Sequence, residues 1–135
     1  MRRKIARHRS ERPAFWETLE APLNLESAIQ SRSTKAEMLI IDCLTLYLAN
    51  LMQARRSRDS ILQELNKVSE AVRFAKSSMI IVSNEVGCGV VPAFRSGRLY
   101  RDMLGQLNQQ IAEMADRVIF MIAGVPVTVK DTTGS

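Results

Sequence analysis

Two short stretches without a polar side chain, Met38-Leu39-Ile40-Ile41 and Met79-Ile80-Ile81-Val82, constrain this chain more than any other feature. Each has the length of a strand, and unbroken apolarity predicts burial on both faces, as in a parallel sheet covered by helices. Each also ends abruptly in polar residues. The first runs into Asp42, and the second into Ser83-Asn84-Glu85 and a loop carrying Gly87 and Gly89. Open α/β sheets bind ligands beyond the carboxyl ends of their strands, where backbone lacking Cβ atoms can approach a ligand closely. A glycine-x-glycine loop by itself names no ligand.

Around these strands the spacing turns helical. Leu44 to Met52 is apolar at nearly every turn and predicts a well-buried helix. Ile61, Leu65, Val68, Val72 and Ala75 recur at three and four, the period of a helix with one core face, and Arg58, Glu64, Lys67, Glu70 and Arg73 form its solvated side. A third helix carries Leu99, Met103, Leu107, Ile111 and Met114 on one stripe, leaving Arg101, Asp102 and Asn108 for a ligand or a subunit partner. Leu23 to Ile29 predicts a short helix after Pro22 with Asn24 as its cap, followed by a polar connector at Ser31-Arg32-Ser33-Thr34-Lys35. The chain finishes with Val118–Ile122, a turn at Ala123-Gly124, and Val125–Val129. These predict a hairpin or a pair of edge strands, because Pro126 cannot donate in a ladder interior. Strands alternating with helices argue an α/β fold, with residues 1–135 as a single domain.

Composition narrows the function classes. A hydrophobic share of 46% supports a real core and excludes disorder. The net charge of +5 is concentrated at the start, where Arg2, Arg3, Lys4, Arg7, Arg9 and Arg12 face a single acid, Glu11, and the remainder of the chain is balanced. A basic cluster of this kind attracts phosphate. Residues 1–12 hold good helix formers up to Pro13, and Pro13-Ala14-Phe15-Trp16 reads as an extended turn anchored by its two aromatics. Cys43 and Cys88 lack the paired spacing of a zinc site and read as reduced, buried thiols. The apolar run from Met38 to Met52 is shorter than the roughly 20 residues a membrane span needs and contains Asp42 and Asn50. A soluble, cytoplasmic protein without a membrane span is the expectation.

Several residues carry chemistry by position. Asp42 at a strand end suits a Mg²⁺ ion beside nucleotide phosphates, and it equally suits a cap for the helix that follows. His8 is the only histidine. Its cationic neighbours favour the neutral, nucleophilic imidazole and would hold phosphates, while a surface histidine on a basic helix is the plainer alternative. Asn84-Glu85 can orient a substrate hydroxyl or a water, or can build a turn into the Gly87/Gly89 loop. No GxxxxGK followed by Ser or Thr occurs in the chain, so these residues contain no phosphate-binding P-loop.

Taken in order, Arg3 to Glu20 with its Arg7-His8-Arg9-Ser10-Glu11-Arg12-Pro13 core, Ile41-Asp42-Cys43-Leu44-Thr45-Leu46 with Asn50-Leu51, and Ser83 to Pro92 resemble one family. It is the bifunctional adenosylcobinamide kinase / adenosylcobinamide-phosphate guanylyltransferase family of cobalamin biosynthesis. The similarity continues through Arg101-Asp102, Gly105, Asn108 and Gly124 to Lys130. The resemblance implies phosphorylation of adenosylcobinamide, then transfer of GMP from GTP to adenosylcobinamide phosphate through a guanylylated histidine. It puts His8 at the nucleophile, Arg9, Ser10, Glu11 and Arg12 in the nucleotide-binding segment, and Glu20 and Asp42 at further GTP-contacting positions. Asp42 also matches an acidic position expected to organise Mg²⁺, ATP and GTP are the implied nucleotides, and Asn84, Glu85, Gly87 and Gly89 form a possible substrate loop.

The resemblance implies a P-loop NTPase-like (RecA-like) three-layer sheet. Family members begin with a strand, a P-loop and a second strand, roughly one βαβ unit that this chain lacks. The expectation is an N-terminally truncated domain, about three quarters of the family's, with no kinase activity and little guanylyltransferase activity on its own, and with sheet edges left open. A homo-oligomer is implied, a trimer by resemblance, with no nucleic acid as partner. The alternative is a non-catalytic basic remnant whose arginines bind polyanions such as RNA.

Overall fold

The computed structural model describes residues 13–54 and 56–134. Helix α1 spans Leu25–Arg32, strand β1 Met38–Asp42, helix α2 Leu44–Gln53, helix α3 Arg58–Arg73, strand β2 Ser78–Val82, helix α4 Arg95–Met114, and strands β3 and β4 Arg117–Ile122 and Val125–Asp131. The expectation for residues 1–12 lies outside the described residues.

β1 and β2 pair in parallel, Met38 opposite Ser78 through to Asp42 opposite Val82. Their starts are tied together: the Ser78 amide donates to the Glu37 carbonyl at 3.0 Å, and the Ser77 hydroxyl reaches the carbonyls of Ser33 and Ala36. Alternation along the strands separates two faces. Ile41 is buried, Met79 and Ile81 pack against the helical core, and Leu39 on the same face is half-buried. Met38, Ile40, Ile80 and Val82, on the other face, are each 41–53% exposed. Burial on both faces is therefore not what the described residues show. Helices cover one face, and the described strands form two separate two-stranded sheets, with no third layer over the other face.

The core is helical. α2 buries Leu44, Tyr47, Leu48 and Leu51, one apolar face over two turns. α3 buries Ile61, Leu65, Val68 and Ala71, and its start is fixed by the Ser57 hydroxyl accepting from the Ser60 amide at 3.2 Å. Val72 and Ala75 pack partly buried against the same core, Ala75 from just past the helix end. α4 contributes Met103, Leu104 and Leu107. α1 adds Leu25 and Ile29 and runs through Arg32, so the polar connector begins two residues later than the sequence implied; Arg32 is held by Glu17 at 2.8 Å. Asn24 stands at the cap position, but its side chain makes no capping bond.

β3 and β4 form an antiparallel hairpin closed by Ala123 and Gly124, at φ 51° and 80°. Two successive left-handed residues match the right-handed twist of the strands, the reason glycine suits this turn. Pro126 faces Met121 in a ladder of two strands among the described residues, where each is an edge and the missing donor is tolerated. Lys130 extends its ammonium to the carbonyls of Ala112 and Glu113 at 3.0 and 2.9 Å, satisfying the C-terminus of α4 and docking the hairpin there. Phe15 and Trp16 are 86% and 45% exposed, so the turn before α1 is not anchored by its aromatics. It closes instead through a Trp16 amide bond to the Pro13 carbonyl at 3.0 Å.

Candidate functional site

Because β1 and β2 are parallel and in register, both present their carboxyl ends at one edge of the sheet. Asp42 closes β1 there, and Ser83 follows β2 beside it. Asp42 is exposed, and its carboxylate makes no hydrogen bond or ion pair with the described residues. Cys43 occupies the cap position of α2 without a side-chain capping bond, so Asp42 does not act as the helix cap. Its charge is left facing outward at the strand end.

The loop after β2 is clamped at both ends by α4. At its start the Ser83 hydroxyl donates to Asn108 Oδ1 at 2.6 Å, and Asn108 Nδ2 donates to the Asn84 carbonyl at 2.9 Å. At its end Arg98 Nη1 donates to the carbonyls of Pro92 and Ala93 at 3.0 and 2.7 Å. Gly97 makes that close approach possible, since a Cβ there would stand 2.7 Å from the Pro92 Cβ. Within the loop, Glu85 Oε1 accepts from the Gly87 amide at 2.6 Å, so Glu85 is occupied in the turn. Asn84 is exposed and its side chain makes no hydrogen bond with the described residues. A Cβ on Gly87 would meet Glu85 Oε1 at 2.7 Å, whereas one on Gly89 would meet nothing within 4 Å. A side chain at 87 would thus displace the Glu85 carboxylate, and one at 89 would displace nothing.

α4 also reaches the other strand end. The Tyr100 hydroxyl donates to the Thr45 carbonyl at 3.1 Å, in the first turn of α2. Burial pushes the Tyr100 phenol above its ordinary pKa, and the nearby Cys43 thiol adds to the rise. Tyr47, in the same helix as Thr45, is likewise raised, chiefly by burial and next by the Glu64 carboxylate. The thiols are free but not buried as expected: Cys88 is exposed on the loop and Cys43 is half-buried.

The structure thus brings Asp42, Asn84, Glu85, Gly87 and Gly89 to one end of the sheet. Glu20 is exposed in the segment before α1. His8, Arg9, Ser10, Glu11 and Arg12 lie outside the described residues. Arg98, Gly97 and Tyr100 escaped the sequence reading. Their signal, a glycine and an arginine in the first turn of a helix that directly follows a loop, is legible only once the loop's path is known. Among the described residues no three His, Cys, Asp or Glu side chains group to hold a metal. A Mg²⁺ ion keeps several waters and takes one or two carboxylates plus phosphates, so a single uncommitted carboxylate at Asp42 fits such an ion. The groove between α1 and α3, lined by Glu26, Gln30, Lys67 and Phe74, shares no residue with the strand-end loops. No helix among the described residues is long and apolar enough to cross a membrane.

The chain is similar to known proteins over nearly its whole length. Residues 1–129 match the model of a family described as cobinamide kinase / cobinamide phosphate guanyltransferase. The bifunctional adenosylcobalamin biosynthesis protein CobP of Pseudomonas aeruginosa is 40% identical over 136 residues, covering 96% of this chain and 75% of that protein. The bifunctional adenosylcobalamin biosynthesis proteins CobU of Escherichia coli and Salmonella typhimurium are each 29% identical over 142 residues, covering 96% of this chain and 78% of theirs.

Proposed function

The chain belongs to the cobinamide kinase / cobinamide phosphate guanyltransferase family, an enzyme family of cobalamin biosynthesis, and from that premise we propose that it carries the guanylyl-transfer half of the chemistry. His8 attacks the α-phosphorus of GTP, a P–N bond forms, and pyrophosphate leaves. A phosphate oxygen of adenosylcobinamide phosphate then displaces the imidazole, giving adenosylcobinamide-GDP and freeing His8. Arg9 and Arg12 offset the charge on the transferring group, and Ser10, Glu11 and Glu20 contribute to nucleotide binding. Asp42 would hold Mg²⁺, which supplies neutralisation of the nucleotide phosphates. Asn84 and the turn at Glu85–Gly87 border the corrinoid.

One structural observation supports this reading above the others: an exposed, uncommitted Asp42 carboxylate sits at the same sheet end as a loop clamped at both its ends. Nucleotidyl transfer needs little from a protein beyond positioned charge and fixed geometry, and this end of the sheet provides both. For the kinase step, with ATP or GTP as donor, the 135 residues contain no GxxxxGK motif. A phosphate cradle for it must come from outside them, so this polypeptide alone is inactive as a kinase. The reading also includes a P-loop-type three-layer sheet within one domain, a cytoplasmic location and a homo-oligomer, a trimer. The exposed apolar residues of β1, β2 and the hairpin support further coverage of those faces.

The test is product formation. Adenosylcobinamide phosphate, α-labelled GTP and Mg²⁺ should yield labelled adenosylcobinamide-GDP at a low rate, and adenosylcobinamide with γ-labelled ATP should yield no labelled corrinoid. Salt-sensitive RNA binding with no labelled product would overturn the enzyme reading in favour of a polyanion binder.

A further inference from the structure

We infer that Asn108 is a positioning residue for this site: it holds Ser83 and the Asn84 carbonyl so that the Asn84 side chain meets the ligand in one fixed orientation. The inference rests on the reading of the loop after β2 as a substrate loop. The Asn108 amide is engaged at both its oxygen and its nitrogen. Its oxygen accepts from the Ser83 hydroxyl at 2.6 Å and its nitrogen donates to the Asn84 carbonyl at 2.9 Å. Both bonds go to the first two residues beyond β2, which are otherwise free of the strand ladder.

The anchor itself is rigid. Asn108 follows the buried Leu107 and lies one turn after the buried Leu104, so the helix that carries it is locked into the core. The beneficiary is Asn84. It is exposed, its side chain has no hydrogen bond among the described residues, and its backbone carbonyl is the atom that Asn108 grips. A free amide offers a donor and an acceptor, and fixing the backbone beneath it removes conformational freedom that a ligand would otherwise have to freeze on binding. Glu85 cannot take that role, because its carboxylate is occupied by the Gly87 amide.

A double-mutant cycle on the full chain tests this, with affinity for adenosylcobinamide phosphate read from corrin absorbance after equilibrium dialysis. Asn84→Ala and Asn108→Ala should each weaken binding by about five- to tenfold, the value of one or two net hydrogen bonds. The double variant should bind no more weakly than Asn84→Ala, because Asn108 acts only through Asn84. Ser83→Ala, which removes one of the two anchors, should fall between wild type and Asn108→Ala. Asn108→Asp supplies a readout that a purely structural role would not move. Its carboxylate repels the Asn84 carbonyl at neutral pH, and its protonated form can donate to it. The affinity deficit relative to wild type at the same pH should therefore shrink as pH falls toward about 4, the ordinary carboxylate range, a ratio from which the titration of the ligand's own phosphate cancels. Additive single effects, or an Asn108→Asp defect independent of pH, would overturn the inference and leave the loop reading intact. An Asn84→Ala variant that binds like wild type, or a wild type that binds no corrinoid, would overturn the loop reading and the inference with it.

Discussion

Replacing Gly87 by alanine should loosen the loop after β2 without unfolding the protein. The new Cβ would lie 2.7 Å from Glu85 Oε1, the same oxygen that accepts from the Gly87 amide at 2.6 Å. The two cannot coexist, so the carboxylate must swing away and the bond is lost. The obstructing atom ends a flexible exposed side chain, and Gly87 is not in the left-handed region, so no backbone strain is added. A bond to a charged acceptor contributes about 1.5–3 kcal/mol when shielded, and exposure reduces this to about 1 kcal/mol. That corresponds to a roughly fivefold loss of amide protection at position 87. The melting temperature should fall by no more than about 4 °C. Gly89→Ala is the matched control, since its Cβ would meet nothing within 4 Å. Glu85→Ala should reproduce the Gly87→Ala effect, and the double variant should add nothing further. Hydrogen exchange followed by NMR reads all of these. Unchanged protection in Gly87→Ala, or an equal loss in Gly89→Ala, would refute the reasoning.

Two further outcomes follow from burial. Ile41→Ala, at a position 8% exposed, should cost about 2–5 kcal/mol in urea unfolding, whereas Ile40→Ala, 43% exposed on the opposite face, should cost about 1 kcal/mol or less; equal costs would contradict the one-sided burial of β1. Spectrophotometric titration of the chain's two tyrosines should show both phenols ionising above the ordinary value, because Tyr47 and Tyr100 are raised. Since the folded values lie above the unfolded ones, their contribution to stability is complete below the unfolded pKa and is lost as pH rises through the folded pKa. Phenolate absorbance appearing at the ordinary value in the folded protein would contradict this.

Much of this arrangement was legible in the residues, and the exceptions have physical reasons. β1, β2 and the three long helices announce themselves because an unbroken apolar run of strand length and a 3.6-residue rhythm of apolar side chains are local properties. Burial on both faces of β1 is not seen among the described residues at Met38 and Ile40, since apolarity marks what a face can bury and not what covers it. Ser31 and Arg32 looked like connector because they are polar. The helix nevertheless runs through Arg32, closed by the Ser33 amide on the Ile29 carbonyl, and Arg32 pairs with Glu17, 15 residues away. At the site, Asp42 and the Gly87 loop were visible as strand ends, and the turn alternative for Glu85 is the one realised. The use of Asn108 was not visible, because its partners lie 24 and 25 residues earlier and spacing carries no information about contacts made across the fold.

The most direct test of the account is covalent labelling of the protein with α-labelled GTP in the presence of Mg²⁺. The account predicts an acid-labile, base-stable label that maps to His8, is chased off by adenosylcobinamide phosphate, is absent in His8→Ala and is reduced in Asp42→Asn. A label that survives His8→Ala, or no label at any nucleotide concentration, would contradict it.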